Sequence, residues 1–176
     1  RIEKYENISD NMELEIANYL NNVSEGRLSS ESKLEIRGML REVTEIESIG
    51  DSCYNLARTV NRKRTGGNDF TEKQYEHIHQ MMQLTENALK HMVAIVEDDA
   101  HVVDVNHSFN IENEMNNYRS QLKNQNILDV NNKEYDYQMG VHYMDLIGEC
   151  EKLGDYVVNV VEARTNVKEK KTNENR

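Results

Sequence analysis

The chain has 176 residues, no proline, eight glycines, and 32 acidic against 21 basic side chains, a formal net charge of −11. That length suits one domain with a sizeable core, and the scarcity of helix breakers favours long helices. The excess negative charge repels nucleic-acid phosphates and anionic lipid, which leaves cations and basic protein surfaces as partners.

No run approaches the roughly 18 consecutive apolar residues of a membrane span. No basic segment followed by an apolar one marks a signal peptide. The chain opens at Arg1 directly into a helical pattern and reads as a piece of a longer protein. Cys53 and Cys150 both occupy apolar positions of helical patterns. This suits reduced, buried thiols rather than a disulfide or a thiolate zinc site.

Turn and cap signals predict five helices. The first runs from about residue 2 to 23 and stops near Gly26. The second follows Ser29-Ser30 and ends near Arg64, before Thr65-Gly66-Gly67-Asn68. The third opens on Thr71-x-x-Gln74, a capping box, and reaches about residue 99. The fourth covers about 108 to 126. The fifth opens on Asn131-x-x-Glu134 and reaches about Arg164. Residues 167–176 read as a polar, disordered tail.

The fifth helix has an unbroken apolar stripe: Met139, Tyr143, Leu146, Cys150, Leu153, Val157 and Val160 recur every three or four residues. The second has a matching one in Met39, Ile46, Ile49, Cys53, Leu56 and Val60. Both stripes predict core packing in an antiparallel bundle.

Laid over the fifth helix, the second places Glu45 on Glu149, Glu47 on Glu151, Gly50 on Gly154, Asp51 on Asp155 and Asn55 on Asn159. The first and fourth helices also resemble each other, with Asp10-Asn11 set against Glu112-Asn113 and Leu20 against Leu122. The chain thus reads as a duplicated unit whose first copy has two helices and whose second has three.

Glu47 and Asp51, like Glu151 and Asp155, are four apart and share a helix face. Such a like-charged pair costs a helix a few tenths of a kcal/mol, and each glycine beside it costs about 1 kcal/mol more. A merely solvated face has no reason to repeat that combination. Carboxylate and amide oxygens suit hard cations such as Mg²⁺, Ca²⁺ or Mn²⁺, and also iron. If the two helices lie side by side, the four carboxylates can converge. Glu45, Glu149, Asn55 and Asn159 are further candidate ligands, and Glu6, Asp10 and Glu112 are acids on neighbouring helices.

The histidines carry less. His77 and His79 face different ways, and Asp98-x-x-His101 and Asp104-x-x-His107 fall at a helix end and in a connection. Di-iron bundles need Glu-x-x-His on each of two helices, and the chain has that spacing once, at Glu76 and His79, which disfavours a carboxylate-bundle metalloenzyme. His91 and His142 are the helical positions open to a phosphotransfer role. No nucleophile–base pair and no phosphate-cradling glycine loop is present.

Glu-Ser-Ile-Gly-Asp-x-x-x-Asn at 47–55 and Glu-Lys-Leu-Gly-Asp-x-x-x-Asn at 151–159 resemble the signature of the PhoU family, regulators of bacterial phosphate uptake. The family is built from two three-helix repeats whose third helices carry Glu-x-x-x-Asp, and the likeness extends from about residue 4 to 164. It implies an all-α, PhoU-like bundle of five long helices, a duplicated three-helix repeat lacking its first helix. Residues 1–66 would form the partial first repeat and 70–166 the second.

The resemblance also implies metal ions (Fe, Mn, Zn or Mg) at Glu47, Asp51, Glu151 and Asp155. It implies a non-enzymatic regulatory role in the cytoplasm. One expected setting is the PhoU-like domain of a sodium/phosphate symporter, tethered to the inner membrane and partnered by the transporter's transmembrane part. The other is a free-standing regulator of a phosphate ABC transporter and a sensor kinase. A groove left by the missing helix would suit a homodimer.

Overall fold

The computed structural model describes residues 1–66, 68–97 and 104–174, with side chains through residue 165. Among them are five helices: α1 (Ile2–Ser24), α2 (Ser30–Thr65), α3 (Glu72–Glu97), α4 (Val105–Asn131) and α5 (Tyr137–Glu174). The fold is all-α, as the sequence predicts. Gly67 and residues 98–103, including His101, lie outside the described residues.

α5 is the hub. α2, α3 and α4 all pack on it, α3 also packs on α4, and α1 packs on α2 alone among the described residues. Side-chain contacts fix the directions. Asn159 Nδ2 donates to Glu45 Oε2 (3.0 Å), Ser52 Oγ donates to Glu149 Oε1 (2.9 Å), and Arg41 pairs with Glu162 (3.1 Å), so α2 and α5 are antiparallel. Tyr143 of α5 meets His77 of α3, and Arg164 donates to the Val96 carbonyl, so α3 runs parallel to α5. Tyr118 of α4 donates to Gln80 of α3 (2.8 Å), while His91 meets the Asp104 carbonyl at the start of α4, so α4 is antiparallel to α3.

The α5 stripe is buried along its whole length, with Ile147, Val158 and Val161 on adjoining faces. Met81, Ala88, Met92 and Ile95 from α3, and Ile111, Met115 and Leu122 from α4, complete the core. The α2 stripe fares differently. Ile49 is buried and Cys53 and Leu56 pack against the core, but Met39, Ile46 and Val60 are exposed. α2 has helices on two sides where α5 has three.

The caps explain the boundaries. Thr71 and Gln74 form the reciprocal box, Gln74 N–H to Thr71 Oγ1 (3.2 Å) and Thr71 N–H to Gln74 Oε1 (3.0 Å). Ser29 Oγ accepts from the Ser32 N–H. The expected start of the fifth helix at Asn131 needs correction. Asn131 ends α4, and Asp136 caps α5 by accepting the Met139 N–H (2.7 Å). Asn131 and Asp136 are equally good caps in isolation, and tertiary packing decides between them. α5 also continues to Glu174, past the expected end near Arg164, through a stretch that holds no Gly or Pro to stop it.

Of the two motif glycines, Gly154 lies at a tight helix crossing and Gly50 faces its neighbour helix at ordinary distance. A Cβ on Gly154 would lie 3.0 Å from the sulfur of Met115, which is wholly buried, so that side chain would have to give way inside a packed core. At Gly50 the nearest atom, Ser9 Oγ, is at an ordinary 3.4 Å, and at Gly148 nothing lies within 4 Å. Ala in place of a helical Gly gains about 1 kcal/mol of propensity where no clash opposes it. Gly148→Ala is therefore expected to raise unfolding free energy by about 1 kcal/mol, and Gly154→Ala to lower it. Urea denaturation of the two variants beside the wild type measures both signs.

Candidate functional site

The two Glu-x-x-x-Asp motifs do not share one site. Among the described residues, one group of acids brings ligand atoms within 4.8 Å of one another: Glu6 and Asp10 of α1 with Asp51 of α2. Glu47, one turn before Asp51, adjoins this group, and Glu13 accepts from Thr44 Oγ1 (3.0 Å) at its edge. The second motif faces α4 instead. Glu112 lies beside Asp155, Asn116 donates to Glu112, and Arg119 Nε is 3.5 Å from Glu151.

The glycine crossings set the register between the two seams. Ser9 opposes Gly50 as Met115 opposes Gly154. In that register Glu6 corresponds to Glu112, Asp10 to Asn116 and Glu13 to Arg119. The match of Asp10 with Glu112 read from the sequence is thus displaced by one helical turn. The displacement matters chemically. Where the α1–α2 seam has Asp10 and Glu13, the α4–α5 seam has an amide and a guanidinium.

The electrostatics follow. Glu47 is pushed above its ordinary 4.5 by partial burial, then by the charges of Asp51, Glu13 and Asp10. Glu6 is raised by desolvation and by Asp10 and Asp51. In the second seam, burial raises Glu112, Glu151 and Asp155, but Arg119 pulls the last two back. One Asp10 oxygen is buried with no hydrogen-bond partner, so the first seam holds an unsatisfied acceptor as well as uncompensated charge.

The other candidate ligands do different work. Glu45 and Asn159 bond to each other across α2–α5, and Glu149 takes Ser52 and Lys152 (3.3 Å). These residues tie the two repeats together. Asn55 lines a cavity of about 430 Å³ with Glu149, Arg119 and Lys152. The sequence reading did not foresee Arg119, because its pairing with Glu151 depends on how α4 registers on α5.

Both helical histidines named for phosphotransfer are placed. His91 Nε2 lies 3.1 Å from the Asp104 carbonyl with its ring against His107, and Nδ1 of His142 is buried without a partner. His77 packs on Tyr118 and lies 2.8 Å from the Tyr143 hydroxyl; burial keeps it below the usual imidazole range.

Comparison with known families adds one finding. Residues 78–163 match the PhoU domain. The PhoU match covers most of α3, all of α4 and α5 as far as Ala163, which is the three-helix unit with the second motif. No curated protein and no solved structure matches the chain.

The raised carboxylates give a pH signature. A carboxylate whose folded-state pKa lies above its unfolded value contributes stability below the unfolded value and loses it as pH rises through the folded one. Glu47→Gln removes that loss. With chelator present, the variant is expected to exceed the wild type by about 0.5 kcal/mol near pH 7, the scale of one like-charge helix pair. The difference should shrink toward pH 4.5, the ordinary value. Arg119→Gln has the opposite sign, because it takes from Glu151 and Asp155 the counter-charge that they share. Thermal melts of both variants at the two pH values separate the effects.

Proposed function

We propose that this chain is a PhoU-type regulatory domain acting in phosphate transport, with no catalytic step of its own. The observation that carries this reading is the PhoU match over 78–163, supported by recurrence of the same Gly-Asp motif and glycine crossing in α1–α2. No helix among the described residues is long and apolar enough to cross a membrane. The domain would therefore act on transport by contact. In the setting we favour it is the regulatory part of a sodium/phosphate symporter, facing the cytoplasm beside the transporter's transmembrane region. The second setting is a free regulator touching a phosphate ABC transporter and a sensor kinase.

We assign the metal-binding role of the motif to the first seam. Glu6, Asp10 and Asp51, with Glu47 adjoining, supply carboxylate oxygens of the kind that hold Mg²⁺, Mn²⁺ or iron, and the orphaned Asp10 oxygen offers one more acceptor. A bound cation would supply the positive charge that Arg119 supplies in the second seam. Glu151 and Asp155 then serve as partners of Arg119 rather than as metal ligands.

Two measurements test these readings. In the organism that encodes it, removing the segment that encodes this chain is expected to change radiolabelled phosphate uptake and its response to phosphate starvation. Uptake unaltered in both respects rejects the regulatory role, and sodium dependence of the change separates the symporter from the ABC setting. Metal analysis by mass spectrometry, after loading with Fe, Mn, Zn or Mg, should find metal in the wild type and in Asp155→Asn but not in Asp51→Asn. Equal loss in both variants rejects the assignment to one seam.

A further inference from the structure

Along α5 lies a cleft that the carboxylate motifs do not use. It belongs to the second repeat, whose three helices are all present, so no missing element accounts for it. One chamber, of about 450 Å³, follows the α4–α5 seam toward the turn and is walled by Ile127, Val130, Val141 and Met144. The other, of about 430 Å³, is the cavity already noted at Asn55, lined on the α2 side by Thr59 and Arg62. The two chambers adjoin, because Arg119, Met144, Asp145 and Gly148 line both. Volumes of this size are those of small-molecule sites.

Gly148 keeps the chambers continuous. A Cβ there would meet nothing within 4 Å, so packing does not ask for glycine, and glycine costs a helix interior about 1 kcal/mol relative to alanine. The first repeat shows the alternative. In the register of the glycine crossings Gly148 corresponds to Thr44 and Arg119 to Glu13, and Thr44 Oγ1 donates to Glu13 Oε1 across the seam (3.0 Å). Where one copy bridges its seam with a side chain, the other leaves open space beside an arginine. The charges round that space run against the chain's net charge of −11. Lys152 pairs with Glu149 (3.3 Å), which leaves Arg62, Arg119 and Lys123 against Asp145. Arg119 also faces Glu151, and Arg62 donates to Thr59 Oγ1 (2.9 Å), while Lys123 and Asp145 have no ion-pair partner among the described residues. Salt screens exposed charges beyond about 10 Å, so this local excess outweighs the distant acids. The cleft thus presents, in order, an apolar wall, a carboxylate and a group of cations. A nucleoside phosphate has the matching order. Its base would lie against Ile127, Val141 and Met144, its ribose hydroxyls would donate to Asp145 at the junction, and its phosphates would meet Arg119 and Arg62. An acyl chain with an acidic head lacks the hydroxyls that Asp145 would accept from.

We propose that this cleft binds a nucleoside phosphate, with the base in the α4–α5 chamber and the phosphates in the chamber beside α2. The proposal does not depend on metal binding at the first seam or on the role in phosphate transport. Isothermal titration calorimetry with ATP and with GTP, chelator present throughout, tests it. At least one of the two should bind at one site per chain. Inorganic tripolyphosphate, which carries the charge without base or ribose, should bind at least about tenfold more weakly. Gly148→Leu, which fills the junction from a position where a Cβ meets nothing, should abolish nucleotide binding while the variant still melts cooperatively. Should Gly148→Leu fail to fold, Arg62→Gln on the exposed side of α2 provides a second readout, weakening nucleotide binding at least about tenfold. Arg64→Gln, an exposed change outside the cleft, should leave it unaltered. No binding of either nucleotide at millimolar concentration, tripolyphosphate binding as tight as theirs, or wild-type affinity in a folded Gly148→Leu or Arg62→Gln variant overturns the proposal.

Discussion

The fold depends on α5 having neighbours on three sides. Leu153, Val157, Val160 and Val161 are almost wholly shielded from water because α2, α3 and α4 each take one face. A helix so enclosed can carry charge only at a seam, and a carboxylate there must find a partner or titrate upward. Glu151 and Asp155 sit at the α4–α5 seam, and Arg119 reaches them from α4. The same restriction places polar links between the repeats at the α2–α5 border, where Asn159–Glu45, Ser52–Glu149 and Arg164–Glu42 (3.5 Å) cross.

α2 holds the corresponding place in the first repeat with one neighbour fewer, which leaves Met39, Ile46 and Val60 of its stripe exposed. The motif carboxylates themselves are placed alike in the two copies, with Asp51 and Asp155 both exposed and Glu47 and Glu151 both half-buried. At an exposed seam edge, several carboxylates can gather without an internal cation, since water and mobile ions screen them. Glu13 and Asp10 then stand where the buried copy has Arg119 and Asn116. Partial burial, and after it the charges of Asp51, Glu13 and Asp10, still raise Glu47. A multivalent cation relieves that repulsion most effectively in the seam that lacks arginine.

Much of this was legible in the sequence, and the remainder shows where local pattern stops. The Thr71–Gln74 box and the seven-residue α5 stripe could be read directly, because a cap and an amphipathic period are local properties. The α2 stripe had the same period but a different fate at Met39, Ile46 and Val60. Periodicity shows which face is apolar without showing whether anything covers it. The motif carboxylates were identifiable from their repetition, whereas their partners were not. Glu6, Asp10, Glu112 and Arg119 reach the seams through interhelical register, and register is set by the glycine contacts with Ser9 and Met115. A one-turn error in matching α1 to α4 therefore hid the exchange of Glu13 for Arg119.

α1 is the element with the least to hold it. Leu20 is its one buried side chain, it packs on a single helix, and the seam it forms gathers like charges. Helices of this kind detach at a small fraction of the free energy that unfolds a core. Its two remaining faces are therefore energetically linked. Whatever neutralises the acidic seam fixes α1 against α2, and whatever covers its exposed apolar residues from Tyr5 to Tyr19 also opposes detachment. Because both act on the same docking equilibrium, each strengthens the other, and linkage makes that coupling reciprocal. The α3–α4–α5 unit, by contrast, closes round one core in which Met81, Met115 and Ile147 are wholly shielded from water.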